Sequence, residues 1–154
     1  MFRESRKSYP DWFMSSKLEI RRSPIAGLGV FTNSDMEAHE LIESAPVVLF
    51  HRSVFETVNT FFEVRTTLMD YPFAWNNGQL AISQGYGGMY NHSTYEPSVL
   101  WKCNYELPSL EFYTRRKIKA GEELFIRYVS VNRCDNLWFV TEEDEKLSNS
   151  YLED

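Results

Sequence analysis

A mainly β fold with short helices is what this sequence predicts, on three observations. Apolar residues come in short runs, glycine and proline turn signals separate almost all of those runs, and only one segment keeps helical spacing over a useful length. With 154 residues, 16% of them aromatic, the chain makes one domain, 1–154, large enough to bury a core and leaves no room for a second.

The elements follow in order. Leu18-Glu-Ile-Arg alternates up to the Ser23-Pro24 break, and Gly29-Val-Phe-Thr32 follows a glycine turn. Pro46 to Phe50 is a compact apolar run of strand length. Val54, Val58, Phe61, Phe62, Arg65 and Leu68 recur at helical spacing, so Val54 to Met69 is predicted as a helix that Tyr71-Pro72 stops. Val99 to Tyr105 and Leu110 to Ile118 flank Pro108-Ser109 as a hairpin, and Ala120-Gly121 turns into a strand over Glu123 to Val129. Thr141 to Asp154 holds six carboxylates and one lysine, which suits a solvated helix or frayed tail; an acidic cradle for a basic peptide is the functional alternative.

Composition narrows the function classes. Sixteen basic against twenty-two acidic residues give a net charge of −6, which disfavours a phosphate-binding surface and direct nucleic-acid contact and suits a cationic partner. The segment Met1 to Met14 lacks the apolar core of a signal peptide, and Val47-Val-Leu-Phe50 is far too short to span a bilayer, so a soluble intracellular protein without membrane contact is expected. The two cysteines, Cys103 and Cys134, have no paired spacing, so neither a disulfide framework nor a metal site is expected.

Three segments carry the chemistry, and each has an ordinary structural reading as well. Gly27-Leu28-Gly29 is a tight turn, without the third glycine and helix of a dinucleotide fingerprint. Gly85-Tyr86-Gly-Gly-Met-Tyr90-Asn91-His92-Ser93 is a glycine-rich turn, in which His92 alone would read as a hydrogen-bonded structural histidine. Gly121-Glu-Glu-Leu-Phe-Ile-Arg-Tyr128 is a turn and strand; Glu122 and Glu123 read as solvated carboxylates rather than a catalytic acid and base, and Tyr128 alone would be a packing residue. His39 and His51 lie outside these segments and read as surface or structural residues.

In this order and at this spacing, the three segments resemble the signature segments of SET-domain protein-lysine methyltransferases, over roughly residues 17 to 130. The resemblance implies a β-clip fold of several small sheets, with a C-terminal pseudoknot in which the segment carrying Tyr128 passes beneath the one carrying Asn91-His92. It implies S-adenosyl-L-methionine as cofactor, held by Gly27, Leu28, Gly29, Tyr86, Asn91 and His92, and Tyr128 as the catalytic residue. Tyr71 and Tyr90 would wall a lysine channel, with Trp138 and Phe139 completing a C-terminal lid. A neutral lysine amine would attack the methyl group, and exposing its lone pair at neutral pH costs roughly 4 to 5 kcal/mol. Desolvation in an aromatic channel and a nearby positive charge offset part of that cost, and no metal is required.

The chain departs from the family where an Arg-Phe pair usually precedes Asn-His, and where cysteines usually follow it. Ser98, where asparagine is common, and Arg127 before Tyr128 are further departures, which bear on rate and substrate choice. The pattern resembles the minimal SET proteins of large viruses and some bacteria that lack flanking cysteine modules. A lysine methyltransferase acting on a basic segment such as a histone tail is therefore expected, in a host nucleus if the chain is viral with a histone substrate and in the cytoplasm otherwise. The alternatives are a catalytically degenerate SET domain that binds cofactor or a basic peptide, and an acidic β-rich interaction module. Small size, aromatic content and the resemblance to minimal members lead us to expect a homodimer.

Overall fold

Ten strands, β1 to β10, organise the computed structural model, which describes residues 12–54, 57, 71–93 and 95–127. The described residues form two compact units, one running up to Val47 and from Ser83 to Arg127, the other from Val48 to Ile82.

The first unit holds two sheets. In one, β4 (Leu41–His51) pairs antiparallel with β9 (Ser109–Thr114), β9 pairs with β8 (Val99–Asn104), and β1 (Phe13–Met14) lies on β4. Alternation places Val99 and Trp101 inside while Leu100 and Lys102 face out, which is the period-two pattern of a sheet with one covered face. In the other sheet the order is β2 (Leu18–Arg22), β3 (Leu28–Thr32), β10 (Glu123–Ile126) and β7 (Asn91–His92). β2, β3 and β10 pair antiparallel, but β10 and β7 run parallel, with Phe125 opposite Asn91 and Ile126 opposite His92. That parallel pair brings the C-terminal segment alongside Asn91-His92. Val30, Ile42, Leu110, Phe112, Leu124 and Ile126 form much of the core between these strands.

The second unit contains the end of β4, followed after the undescribed stretch by the hairpin of β5 (Phe73–Ala74) and β6 (Gln79–Ser83). Its turn passes through Asn77 and Gly78, both at positive φ. Leu80 is buried there with Phe50 packed against it.

The strands expected over 18–21, 29–32, 99–105 and 110–118 are present, but β9 stops at Thr114, four residues before Ile118; of the strand expected over 123–129, Glu123–Ile126 is formed, Arg127 is not in it, and 128–129 lie outside the described residues. β4 is longer than the expected run over 46–50: it begins at Leu41 and carries Glu43 and Ser44 into the interior, which an apolar-run criterion passes over. β1, β5, β6 and β7 are additional to the strands read from the sequence. All of the expected helix but Val54 and Thr57, and the whole acidic tail, lie outside the described residues.

Candidate active site

The glycine turn before β3 is closed by local hydrogen bonds. Ser23 donates its backbone N–H to the Gly27 carbonyl at 2.9 Å, and its hydroxyl accepts from the Ile25 N–H at 3.0 Å. Gly27 sits at φ +49, where a side chain is strained, and the space where its Cβ would stand is open. A ligand approaching there meets bare backbone, flanked by the half-exposed Leu28.

Asn91 ties this turn to the rest of the unit. Its side-chain N–H group donates to the carbonyls of Ala26 at 3.1 Å and Leu28 at 3.3 Å, and to Glu123 Oε1 at 2.7 Å. Glu123, at the start of β10, accepts from the Ser23 hydroxyl through Oε2 at 2.9 Å. One carboxylate thus joins the turn, β7 and β10. The packing is tight enough that a Cβ on Gly29 would collide with the Glu123 carboxylate and crowd the Asn91 amide. Glu123 is accordingly partly buried and structural, not the freely solvated residue expected. Glu122 caps the preceding turn by accepting the Lys119 N–H at 2.6 Å.

A second carboxylate organises the approach to β7. Glu43, fully buried on β4, accepts the Tyr86 N–H at 2.6 Å through Oε1 and the Tyr90 hydroxyl at 3.0 Å through Oε2. The Gly87 N–H also bonds it. Burial pushes its pKa up from 4.5 to about 7, against the opposing pull of Tyr90 and the two backbone donors. Burial and the neighbouring Glu43 charge hold the Tyr90 phenol well above its ordinary value, so it remains a donor. The ring of Tyr90 stacks on Phe112 at 5.0 Å and is 1% exposed. These surroundings correct the expectation that Tyr90 walls a substrate channel: its face and its hydroxyl are both engaged in the core.

The end of β10 is held from β8. Trp101 donates its indole N–H to the Arg127 carbonyl at 2.8 Å, and the buried Ser98 hydroxyl accepts the Phe125 N–H at 3.1 Å. Serine at position 98 therefore has a structural task here. Tyr128, Trp138 and Phe139 lie outside the described residues, and Tyr71 is about half exposed in the second unit. Among the described residues no cluster of three or more histidine, cysteine or acidic side chains could hold a metal.

Gly27, Leu28, Gly29, Asn91 and His92 are thus brought together by β3, β7 and β10, and Tyr86 lies in the turn that precedes β7. Sequence reasoning passed over Ser23, Glu43, Ser98 and Trp101 as parts of this framework. For Glu43 a signal existed, a lone carboxylate in the otherwise apolar or small run Leu41 to Phe50.

A SET-domain profile matches residues 27–129, which is most of the chain. The chain belongs to the SET-domain family. It is also 36% identical, over 137 residues covering 89% of this chain and 84% of the relative, to the histone-lysine N-methyltransferase specific for H3 lysine-37 of Schizosaccharomyces pombe. Two solved structures share the fold. One, from Plasmodium falciparum and described as that of a proposed histone methyltransferase, aligns with a TM-score of 0.60 at 24% identity, over 82% of this chain and all of that one. The other, CpSET8 from Cryptosporidium, aligns with a TM-score of 0.56 at 23% identity, over 74% of this chain and 58% of that one. The chain is a SET-domain lysine methyltransferase with a mainly β fold, and the methyl donor of this family is S-adenosylmethionine.

Proposed function

We propose that this SET domain transfers a methyl group from S-adenosylmethionine to the ε-amine of a lysine in a protein, with histone H3 as the first substrate to test. The observation that supports this most is the Asn91 side chain, bonded at once to the glycine turn and to Glu123 on β10. The three signature segments of the family thereby meet at one point. The histone substrate is suggested by the yeast relative, whose stated activity is on histone H3. A nuclear location follows from that substrate, and among the described residues no helix is long and apolar enough to cross a membrane.

In this reading the backbone of Gly27 to Gly29, Tyr86, Asn91 and His92 hold the cofactor, and open backbone at Gly27 suits close approach. When bound, the cofactor supplies an electrophilic sulfonium methyl. Tyr128 follows Arg127, whose carbonyl Trp101 holds, and its phenol orients the incoming amine. Tyr71, Trp138 and Phe139 shield that amine from water and favour its neutral form. Tyr90 is left out of the channel. We also read the chain as a single SET domain that forms a homodimer and works without metal. Light scattering showing a monomer at working concentration would remove the dimer, and loss of bound zinc and activity together on chelation would remove the metal-free reading.

The deciding experiment is incubation with labelled S-adenosylmethionine and core histones, read by intact mass. A mass gain of a methyl group on histone H3 is expected. Tyr128→Phe should keep cofactor affinity and slow single-turnover transfer by at least about tenfold, or 1.4 kcal/mol in the barrier. No cofactor binding by folded wild-type protein in calorimetry would refute the proposal.

A further inference from the structure

We propose that Glu43 is a positioning residue for the cofactor site, its carboxylate on β4 holding the turn from Gly85 to Tyr90 and thereby setting the place of Asn91 and His92. This rests on the reading that Asn91 and His92 hold the cofactor.

The geometry is specific. Both carboxylate oxygens are used, Oε1 by the Tyr86 N–H at 2.6 Å and Oε2 by the Tyr90 hydroxyl at 3.0 Å, with the Gly87 N–H as a further donor. A Cβ on Gly85 would collide with Oε1, so the turn is fitted to this carboxylate. Tyr90 is anchored a second time by its stacking on Phe112, and the next residue is Asn91. An interior strand position has no packing need of a charged group, and burying one is costly. What the carboxylate supplies is acceptors for backbone N–H groups that a short glycine-rich turn cannot satisfy within itself.

Among the described residues no ion pair compensates the Glu43 charge. β1 sets Met14 opposite Glu43 and β9 sets Phe112 there, while the turn contributes one titratable group that bonds it, the Tyr90 phenol, with the Tyr86 phenol near that of Tyr90. Among the described residues no lysine, arginine or histidine pairs with it. Among the described residues the charge is therefore held by hydrogen-bond donors, and burial brings its titration to about pH 7. On protonation at Oε2 the phenol of Tyr90 can reverse its role and accept, but the backbone donors cannot reverse theirs. Their bonds to the carboxyl group, that of the Tyr86 N–H to Oε1 among them, change from charge-assisted to neutral and weaken. Tightening of the turn with rising pH is the consequence.

Calorimetry with S-adenosylhomocysteine across pH 6 to 8 tests this. For the wild type the affinity should rise about three- to tenfold from pH 6 to 8, on the ground that charge-assisted bonds are roughly twice as strong as neutral ones. Glu43→Gln should bind as the wild type does at pH 6, without pH dependence. Tyr90→Phe removes a bond that favours the charged form, so the midpoint of its profile should move to higher pH. A flat wild-type profile, or a wild-type slope that survives in Glu43→Gln, overturns the inference, the latter because His92 or the ligand would then be the titrating group. Should Glu43→Gln not fold, Tyr90→Phe decides, and an unmoved midpoint overturns the inference. Absence of binding at every pH is a different failure, since it removes the function reading itself.

Discussion

Glu43 and Glu123 do comparable work in different surroundings. Each is a strand carboxylate that accepts hydrogen bonds around a glycine-containing turn, Glu123 from Ser23 and Asn91 and Glu43 from Tyr86, Gly87 and Tyr90. Glu123 is only partly buried, with polar side chains as partners, whereas Glu43 is 0% exposed between apolar strands. Water can replace a partner lost at Glu123; at Glu43 it cannot. The same residue type is thus an adjustable tether at one place and an obligatory one at the other, and the difference is set by solvent access rather than by hydrogen-bond number.

The largest effect that could break this comparison is expected for Glu43→Ala. The substitution leaves two backbone donors and a phenol without their acceptor and opens a cavity beside Phe112, so a loss of about 3–5 kcal/mol is expected. Chemical denaturation at neutral pH measures it, and a loss below about 1 kcal/mol would put Glu43 on a par with Glu123.

Next in size is the dependence of stability on pH. The pKa of Glu43 is raised from 4.5 to about 7, so between those values the folded chain holds a proton that the unfolded chain has released. The contribution of this group is therefore fully present below about pH 4.5 and is lost as pH rises to about 7, by roughly 3 kcal/mol at most. Glu43→Gln should lack that slope, while cofactor affinity in the wild type moves the opposite way. Denaturation midpoints of wild type and variant between pH 5 and 8 check the sign; parallel curves would mean that Glu43 does not titrate there.

Asn91→Ala should cost less in stability, about 1–2 kcal/mol, because its site is half open and water can reach the freed carbonyls. It should nonetheless remove most of the thermal stabilisation that S-adenosylhomocysteine gives the wild type, measured by calorimetric melting. The smallest effect is expected for Glu123→Gln, which keeps the side-chain shape and an acceptor for Ser23 while its amide N–H group meets that of Asn91, a mismatch that water can relieve at this partly open site. A change under about 1 kcal/mol in denaturation would sharpen the contrast with Glu43, and a larger one would dissolve it.

Much of this was legible in the sequence. Alternation and turn residues located β2, β3, β8, β9 and β10, because an edge or half-covered strand must separate its apolar from its polar side chains. The family resemblance implied one site for Gly27 to Gly29 and Asn91-His92, and β3, β10 and β7 place these residues near one another. Tyr90 and Glu43 were not legible in the same way. An aromatic residue beside Asn-His suits a channel as well as a core, and a carboxylate in a strand suits the surface until its partners are known.

The sequence by itself determined the fold class and, through three motifs in order, the family, since these follow from local patterns and their order along the chain. Only the tertiary structure decided what each polar group does. It turned the donor side of Asn91 onto the glycine turn, assigned Ser98 and Trp101 to holding β10, and buried Glu43 against the Gly85 turn. The physical reason is range: alternation and turn chemistry act over a few residues, whereas burial and hydrogen-bond partners here join positions separated by 27 residues from Ser98 to Phe125, 43 from Glu43 to Tyr86 and 100 from Ser23 to Glu123.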